Sequence, residues 1–151
     1  MDLLESIGFS RGSLILRAEQ KRRESIMIQQ VGRIMLYVDN QEEAKNFWTQ
    51  QVGFSVVDDQ TENGIRWIEI VPSKDAQTSF ILHDKKIISK LEPELTLTTP
   101  SLMFYTPNVE ELYETFKQKG ITVGEMVTTS SGKGFNFADS ENNYFVVVEK
   151  N

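Results

Sequence analysis

The chain has 151 residues, 39% apolar and 25% charged, the size and make-up of one globular domain that needs no covalent staples. It has no cysteine and one histidine, His83, which excludes disulfides, thiolate metal centres, a thiol nucleophile and any site needing two histidines from one chain. A net charge of −6 argues against nucleic acid, and the apolar runs are far shorter than the ~20 residues of a membrane span, so neither is an expected partner.

Residues 1–26 carry five Lys/Arg against four Asp/Glu, whereas the rest carries eleven against eighteen, so the acidity lies in the body of the chain. The first segment has short apolar clusters and an almost wholly polar run from Arg17 to Glu24. Asp2 and Glu5 stand where a secretory signal needs basic residues, so the expected location is cytoplasmic. The segment reads as an N-terminal extension, either flexible or ordered by a partner. A sharper expectation comes from Arg22-Arg23 just ahead of Met27. The codons AGG-AGG would encode that pair and also form a bacterial ribosome-binding sequence, making Met27 the natural start and residues 1–26 a translated leader. The DNA sequence tests it. Residues 27–151 then form the domain.

Arg33-Ile34-Met35-Leu36-Tyr37-Val38 reads as a buried strand. Asn40 with Glu43 is a capping pair, and Ala44, Phe47, Trp48 and Val52 follow at helical spacing up to a terminating Gly53. Strands are predicted at 54–57, 65–71 and 79–83, the first two joined by the hairpin dipeptide Asn63-Gly64. Residues 84–100, charged and holding Pro93 and Pro100, read as a linker. After a shift of 68 residues the pattern recurs. Leu102–Tyr105 matches Ile34–Tyr37, Asn108 matches Asn40, Glu110-Glu111 matches Glu42-Glu43, Phe116 matches Trp48 and Gln118 matches Gln50. One residue is then deleted before Gly120 matches Gly53. Strands are expected at 122–127, 135–138 and 144–148. The sequence thus predicts an α+β domain of two tandem βαβββ modules, about 30–83 and 101–150, each needing the other to cover an open face. Ser130-Ser131-Gly132-Lys133-Gly134 does not match a phosphate-binding loop and reads as a hairpin loop or lid.

Met35-Leu36-Tyr37-Val38, Phe47-Trp48, Val52-Gly53-Phe54 and the turn Phe137-Ala138-Asp139-Ser140-Glu141-Asn142-Asn143 give this pattern a resemblance to the vicinal oxygen chelate superfamily: glyoxalase I, bleomycin-resistance proteins and extradiol dioxygenases. The resemblance covers about residues 30–150. It implies a cupped mixed sheet, a half-barrel around a ligand cleft, and a homodimer. It also implies four metal-ligand positions on inner strand faces, which fall here at Arg33, Ile81, Ser101 and Val146. None of these suits a divalent cation, and a guanidinium repels one. No metal, no cofactor and no catalytic residue are therefore expected.

Strand alternation extends the cleft wall from those positions. Arg33 brings Met35 and Tyr37; Ser101 brings Met103 and Tyr105; Ile81 brings Ser79 and His83; Val146 brings Tyr144 and Val148; and Ile68 and Ile70 on the helix side leave Trp67 and Glu69 for the cleft. This is the make-up of a small-molecule site, apolar with a few polar anchors. Arg33 suits a carboxylate or phosphate, or else an ion pair with Glu69. The aromatics suit a planar or cationic ligand, and the acidic body steers cations. His83 reads as a structural or surface residue. Three functional classes fit: a metal-free protein that binds or sequesters a small organic molecule, a metal-dependent lyase or dioxygenase whose ligands lie elsewhere, and a non-catalytic partner-binding protein. The first is the preferred reading.

Overall fold

Residues 11–151 are described by the structure, a computed structural model. They divide into two units, one ending at Val31 and one spanning Gly32–Asn151. In the first, Arg11–Ser25 forms helix α1. The absence of an apolar stripe hid it from pattern reading, but its Arg, Leu, Lys, Glu and Gln are good helix formers.

The second unit begins with β1 (Arg33–Val38) and α2 (Gln41–Asn46). Asn40 caps the helix, its side chain accepting from the Glu43 N–H at 3.0 Å. The helix runs on as a π-turn over Phe47–Val52 and stops at Gly53, whose φ of 98° is a left-handed conformation. Strands β2 (Ser55–Glu62), β3 (Ile65–Val71) and β4 (Ser79–Asp84) follow. Asn63 and Gly64 both take positive φ, as the tight hairpin requires. Sheet order is β1-β4-β3-β2, with β1 parallel to β4 and the other pairs antiparallel.

The second module repeats this with β5 (Met103–Thr106), a capped helix Val109–Gln118, β6 (Val127–Thr129), β7 (Gly132–Ala138) and β8 (Tyr144–Glu149), in the order β5-β8-β7-β6. The predicted linker contains one further helix, α3 (Lys85–Leu91), capped by Asp84, which makes the second-module helix α4. The repeat is visible in the register: Met35 pairs with Ile81 and Tyr37 with His83, while Met103 pairs with Val146 and Tyr105 with Val148. The one-residue deletion has a physical form. The first module's extra residue is absorbed as the π-turn, where the second has a regular α-helix.

Two expectations need correcting. Thr122–Met126 is not a strand. It touches β7 through one bridge, Val123 to Phe137, and β6 starts only at Val127. Ser130-Ser131 is a two-residue turn between β6 and β7, too short for a lid.

Both sheets turn their helix-bearing faces into one shared aromatic core. Trp48, 2% exposed, meets Phe54 and Phe80 of its own module and Phe104, Phe137 and Phe145 of the other, with ring centroids 5.1–6.5 Å apart. Leu36, Ile68, Ile70, Leu82, Phe116, Phe135 and Val147 complete it. Aromatic rings of this size bury much apolar area per residue, and edge-to-face pairs add specificity. With the helix sides buried together, each sheet is left with one face free of this unit's own helices α2 and α4.

Candidate functional site

The inferred wall residues divide between those two faces. On the first sheet, Arg33, Met35 and Tyr37 of β1, Ile81 and His83 of β4, and Trp67 and Glu69 of β3 all alternate with core residues and point away from the helix. Ser79, which the same alternation assigns to this wall, lies here as well.

The polar groups here are coupled. Arg33 Nε donates to Glu69 Oε2 at 3.1 Å and Nη2 donates to Oε1 at 3.3 Å, a two-pronged pair. Ser79 Oγ donates to Glu69 Oε2 at 2.5 Å. The Glu69 side chain is only 12% exposed, that of Arg33 53%. The guanidinium carbon also stands 5.7 Å from the Trp67 ring centroid. The ion pair weighed against a ligand-gripping role for Arg33 is therefore formed, and the unused Nη1 edge remains.

Further along the same face, Tyr37, His83 and Trp67 sit side by side on β1, β4 and β3. The Tyr37 and His83 rings stack at 5.8 Å and 20°. His83 is half-buried, and its Nδ1 is buried without a hydrogen-bond partner. Burial pushes the imidazole below its usual pKa, because the charged form loses hydration.

The second sheet is built otherwise. Met103 and Val146 line a hollow of about 240 Å³ with Val127, Thr129, Gly132, Gly134, Asn136 and Val148. By the register, Gly134 holds the place of Trp67, Asn136 that of Glu69, and Val148 that of His83. A glycine where the first module has tryptophan leaves the face hollow. Gly134 also lies too close to β8 for any side chain, since a Cβ there would meet the Val147 carbonyl oxygen at 2.4 Å. Val148 follows from Val146 by alternation, but Gly134 and Asn136 were missed in the sequence, although the deletion-corrected shift of 67 maps Trp67 onto Gly134 and Glu69 onto Asn136. Tyr105 is 60% exposed, with the Lys150 ammonium 4.6 Å from its ring. Ser101 is exposed and precedes β5, so no strand fixes its direction.

The four metal-ligand positions do not fit a metal. Arg33 is charged and engaged, Ile81 and Val146 are apolar, and Ser101 lies outside the sheet. Among the described residues there is no group of three or more His, Asp or Glu placed to hold an ion.

Two tandem modules with open, helix-free sheet faces define a class, and sequence comparison assigns it. The model of the Glyoxalase/Bleomycin resistance protein/Dioxygenase superfamily matches residues 30–147, and the chain belongs to this superfamily. It is 30% identical over 125 residues to the uncharacterized protein YetH of Bacillus subtilis (strain 168), covering 82% of this chain and all of that one. Among solved structures it is similar to TnmS3, an antibiotic binding protein from Streptomyces sp. CB03234, with a TM-score of 0.70, 25% identity, and 83% and 99% of the two chains covered. A member of the same superfamily from Sphaerobacter thermophilus DSM 20745 gives a TM-score of 0.69 at 26% identity, with 83% and 100% covered.

Proposed function

We propose that this protein binds and sequesters a small organic molecule without a metal ion. The observation that carries the reading is the first-sheet face. Where the superfamily's metal positions fall, it holds an engaged guanidinium and a buried isoleucine, framed by Trp67, Tyr37 and His83. Such a surface offers aromatic area and a few oriented polar groups, the needs of ligand recognition. The likeness to an antibiotic binding protein supports the same class of role. The second-sheet hollow supplies a complementary apolar wall, and a homodimer that sets the first face of one copy against the second face of another would enclose a ligand between them. Elemental analysis of protein purified from its native host, with native mass spectrometry, tests this. The expected result is no stoichiometric transition metal and a bound organic mass that denaturation releases. One nickel, zinc or iron per chain, lost on chelation together with an activity, would overturn it.

A further inference from the structure

The hollow on the second sheet is fixed by backbone, not by the way its side chains rest. Gly132 and Gly134 stand two residues apart on β7 and both line it. Gly132 has a φ of 122°, which other residues rarely adopt, and a Cβ there would meet Val148 Cγ1 at 2.9 Å. A Cβ on Gly134 would run into the Val147 carbonyl oxygen and meet Val148 Cγ2 at 3.0 Å. Neither position can carry a side chain, so the floor is β7 backbone with the Val148 methyl groups leaning over it. Val127 opposite Gly134 and Thr129 opposite Gly132 form one wall, and Met103 and Val146 form the other. The result is a trough about 7 Å long, two residues of strand, between neighbouring strands each about 4.8 Å from β7. That shape admits a ring edge-on and turns away a branched group.

The chemistry of the trough is as definite as its shape. No side chain lining it is ionisable. Charges stand at its margins: Lys150 holds its ammonium 4.6 Å from the Tyr105 ring, outside the lining, and Glu125 is exposed ahead of β6. Thr129 Oγ1 is occupied, donating to the Gly132 carbonyl and accepting from the Ser131 N–H, both at 3.2 Å. Asn136, in the place of Glu69, is not. Among the described residues its side-chain amide makes no hydrogen bond. An amide offers N–H donors and a carbonyl acceptor side by side. A charged group set among these walls would lose its hydration without gaining a partner.

We infer that the hollow seats one uncharged, flat ring of the ligand, edge-on over Gly132 and Gly134, whose adjacent carbonyl and N–H, as in a lactam or cyclic imide, pair with the Asn136 amide. This rests on the binding role proposed above and names the chemistry of one group of its ligand. A volume of about 240 Å³ lies below the roughly 300–1,000 Å³ of a whole ligand pocket, so the hollow holds a group and not a molecule of that size. Charge elsewhere on the ligand falls outside it. The first-sheet face carries Arg33, Glu69 and, opposite Glu69, the Asp58 carboxylate, so it accommodates either sign.

Three probes of one bicyclic shape test this: the lactam isocarbostyril, its N-methyl derivative and the N-methylisoquinolinium cation. They are titrated by ¹H–¹³C NMR with the methyl groups of Met103, Val127, Val146 and Val148 as reporters of the hollow and the Trp67 indole as reporter of the first sheet. The lactam should shift those methyl groups and bind at least about tenfold tighter than the cation. N-methylation should weaken binding by about threefold to tenfold, and Asn136→Ala should erase that difference. Val127→Phe, which sets a ring across from Gly134, should block the lactam while keeping or raising Tm. The ranking of probes on the unmodified protein is independent of how the variants fold. Equal or tighter binding of the cation at these methyl groups, an N-methyl penalty that survives Asn136→Ala, or lactam shifts confined to Trp67 and the first sheet would overturn the inference while leaving the binding role standing. If none of the probes perturbs either face, the inference and the binding role fall together.

Discussion

Arg33 belongs first to the protein's own stability. It satisfies a Glu69 carboxylate that is largely hidden, so removing it leaves an unpaired charge against the sheet. The arginine is half exposed, and the cost therefore falls between that of a surface pair and that of a fully buried one. Arg33→Met should lower stability by about 1–2 kcal/mol in denaturant melts, and adding Glu69→Gln should recover part of the loss. Trp67 lies on the face without contributing to the aromatic core, so Trp67→Ala should leave the melt nearly unchanged. It should weaken binding of a retained ligand by about 1–3 kcal/mol, read by calorimetric titration. His83 sets a pH dependence. Around it stand the Tyr37 ring, Trp67 in register and Asp84, whose carboxylate already accepts from the Lys86 and Ile87 N–H groups. The folded imidazole binds its proton less readily than the unfolded one. Stability is therefore full above the ordinary histidine pKa of 6.5 and declines as pH falls below it. His83→Phe should flatten the slope of melting temperature between pH 7 and pH 5 relative to the parent, whereas a parallel slope would show that His83 does not titrate against the fold.

At the scale of elements, the two modules are tied by a carboxylate as well as by the core. The turn after β7 is held by Asp139 Oδ1, which accepts from the Glu141 and Asn143 N–H groups at 2.9 Å, while Asn142 takes the positive φ of 63°. This aims Glu141 across the module boundary. Its oxygens accept from the Asp39 N–H at 2.8 and 2.9 Å and from the Asn40 N–H at 2.9 Å, beside the start of α2. Glu141→Gln replaces one acceptor oxygen with a donor that faces an N–H. It should lower stability by about 1 kcal/mol and Tm by a few degrees. An unchanged Tm would mean that water replaces the clamp without loss. The π-turn has a similar logic. It keeps Trp48 in the shared core while housing one residue more than α4, and Lys119 of the second module donates to the Gln50 and Gln51 carbonyls near its end. On the solvent side, Arg66 and Lys45 bind Asp59 and hold its carboxyl well below the usual range, which pins β2 and β3 to α2.

For the whole molecule, the shared core leaves substantial apolar surface on the helix-free faces. Met35, Met103, Tyr105, Val127 and Tyr144 are 40–60% exposed. Surface of this kind marks an interface or a binding groove. Light scattering at micromolar concentration should therefore give twice the 17.3 kDa mass of one chain, and a monomer mass would count against the composite site. The sequence by itself determined the module repeat, the caps of α2 and α4, the hairpin at Asn63-Gly64 and the alternation of core residues along β1, β3, β4 and β8, because each follows from local periodicity or from residues a few positions apart. The low-amphipathicity helix α1 and the short helix α3 escaped because neither buries a full apolar stripe. Only the tertiary structure decided that Glu69 is saturated by Arg33 and Ser79, that His83 buries Nδ1, that Gly134 hollows the second face, and that the modules join through Trp48. Those outcomes depend on distances between residues far apart in the chain, and a hydrogen bond is made or lost over a few tenths of an ångström that no one-dimensional spacing encodes.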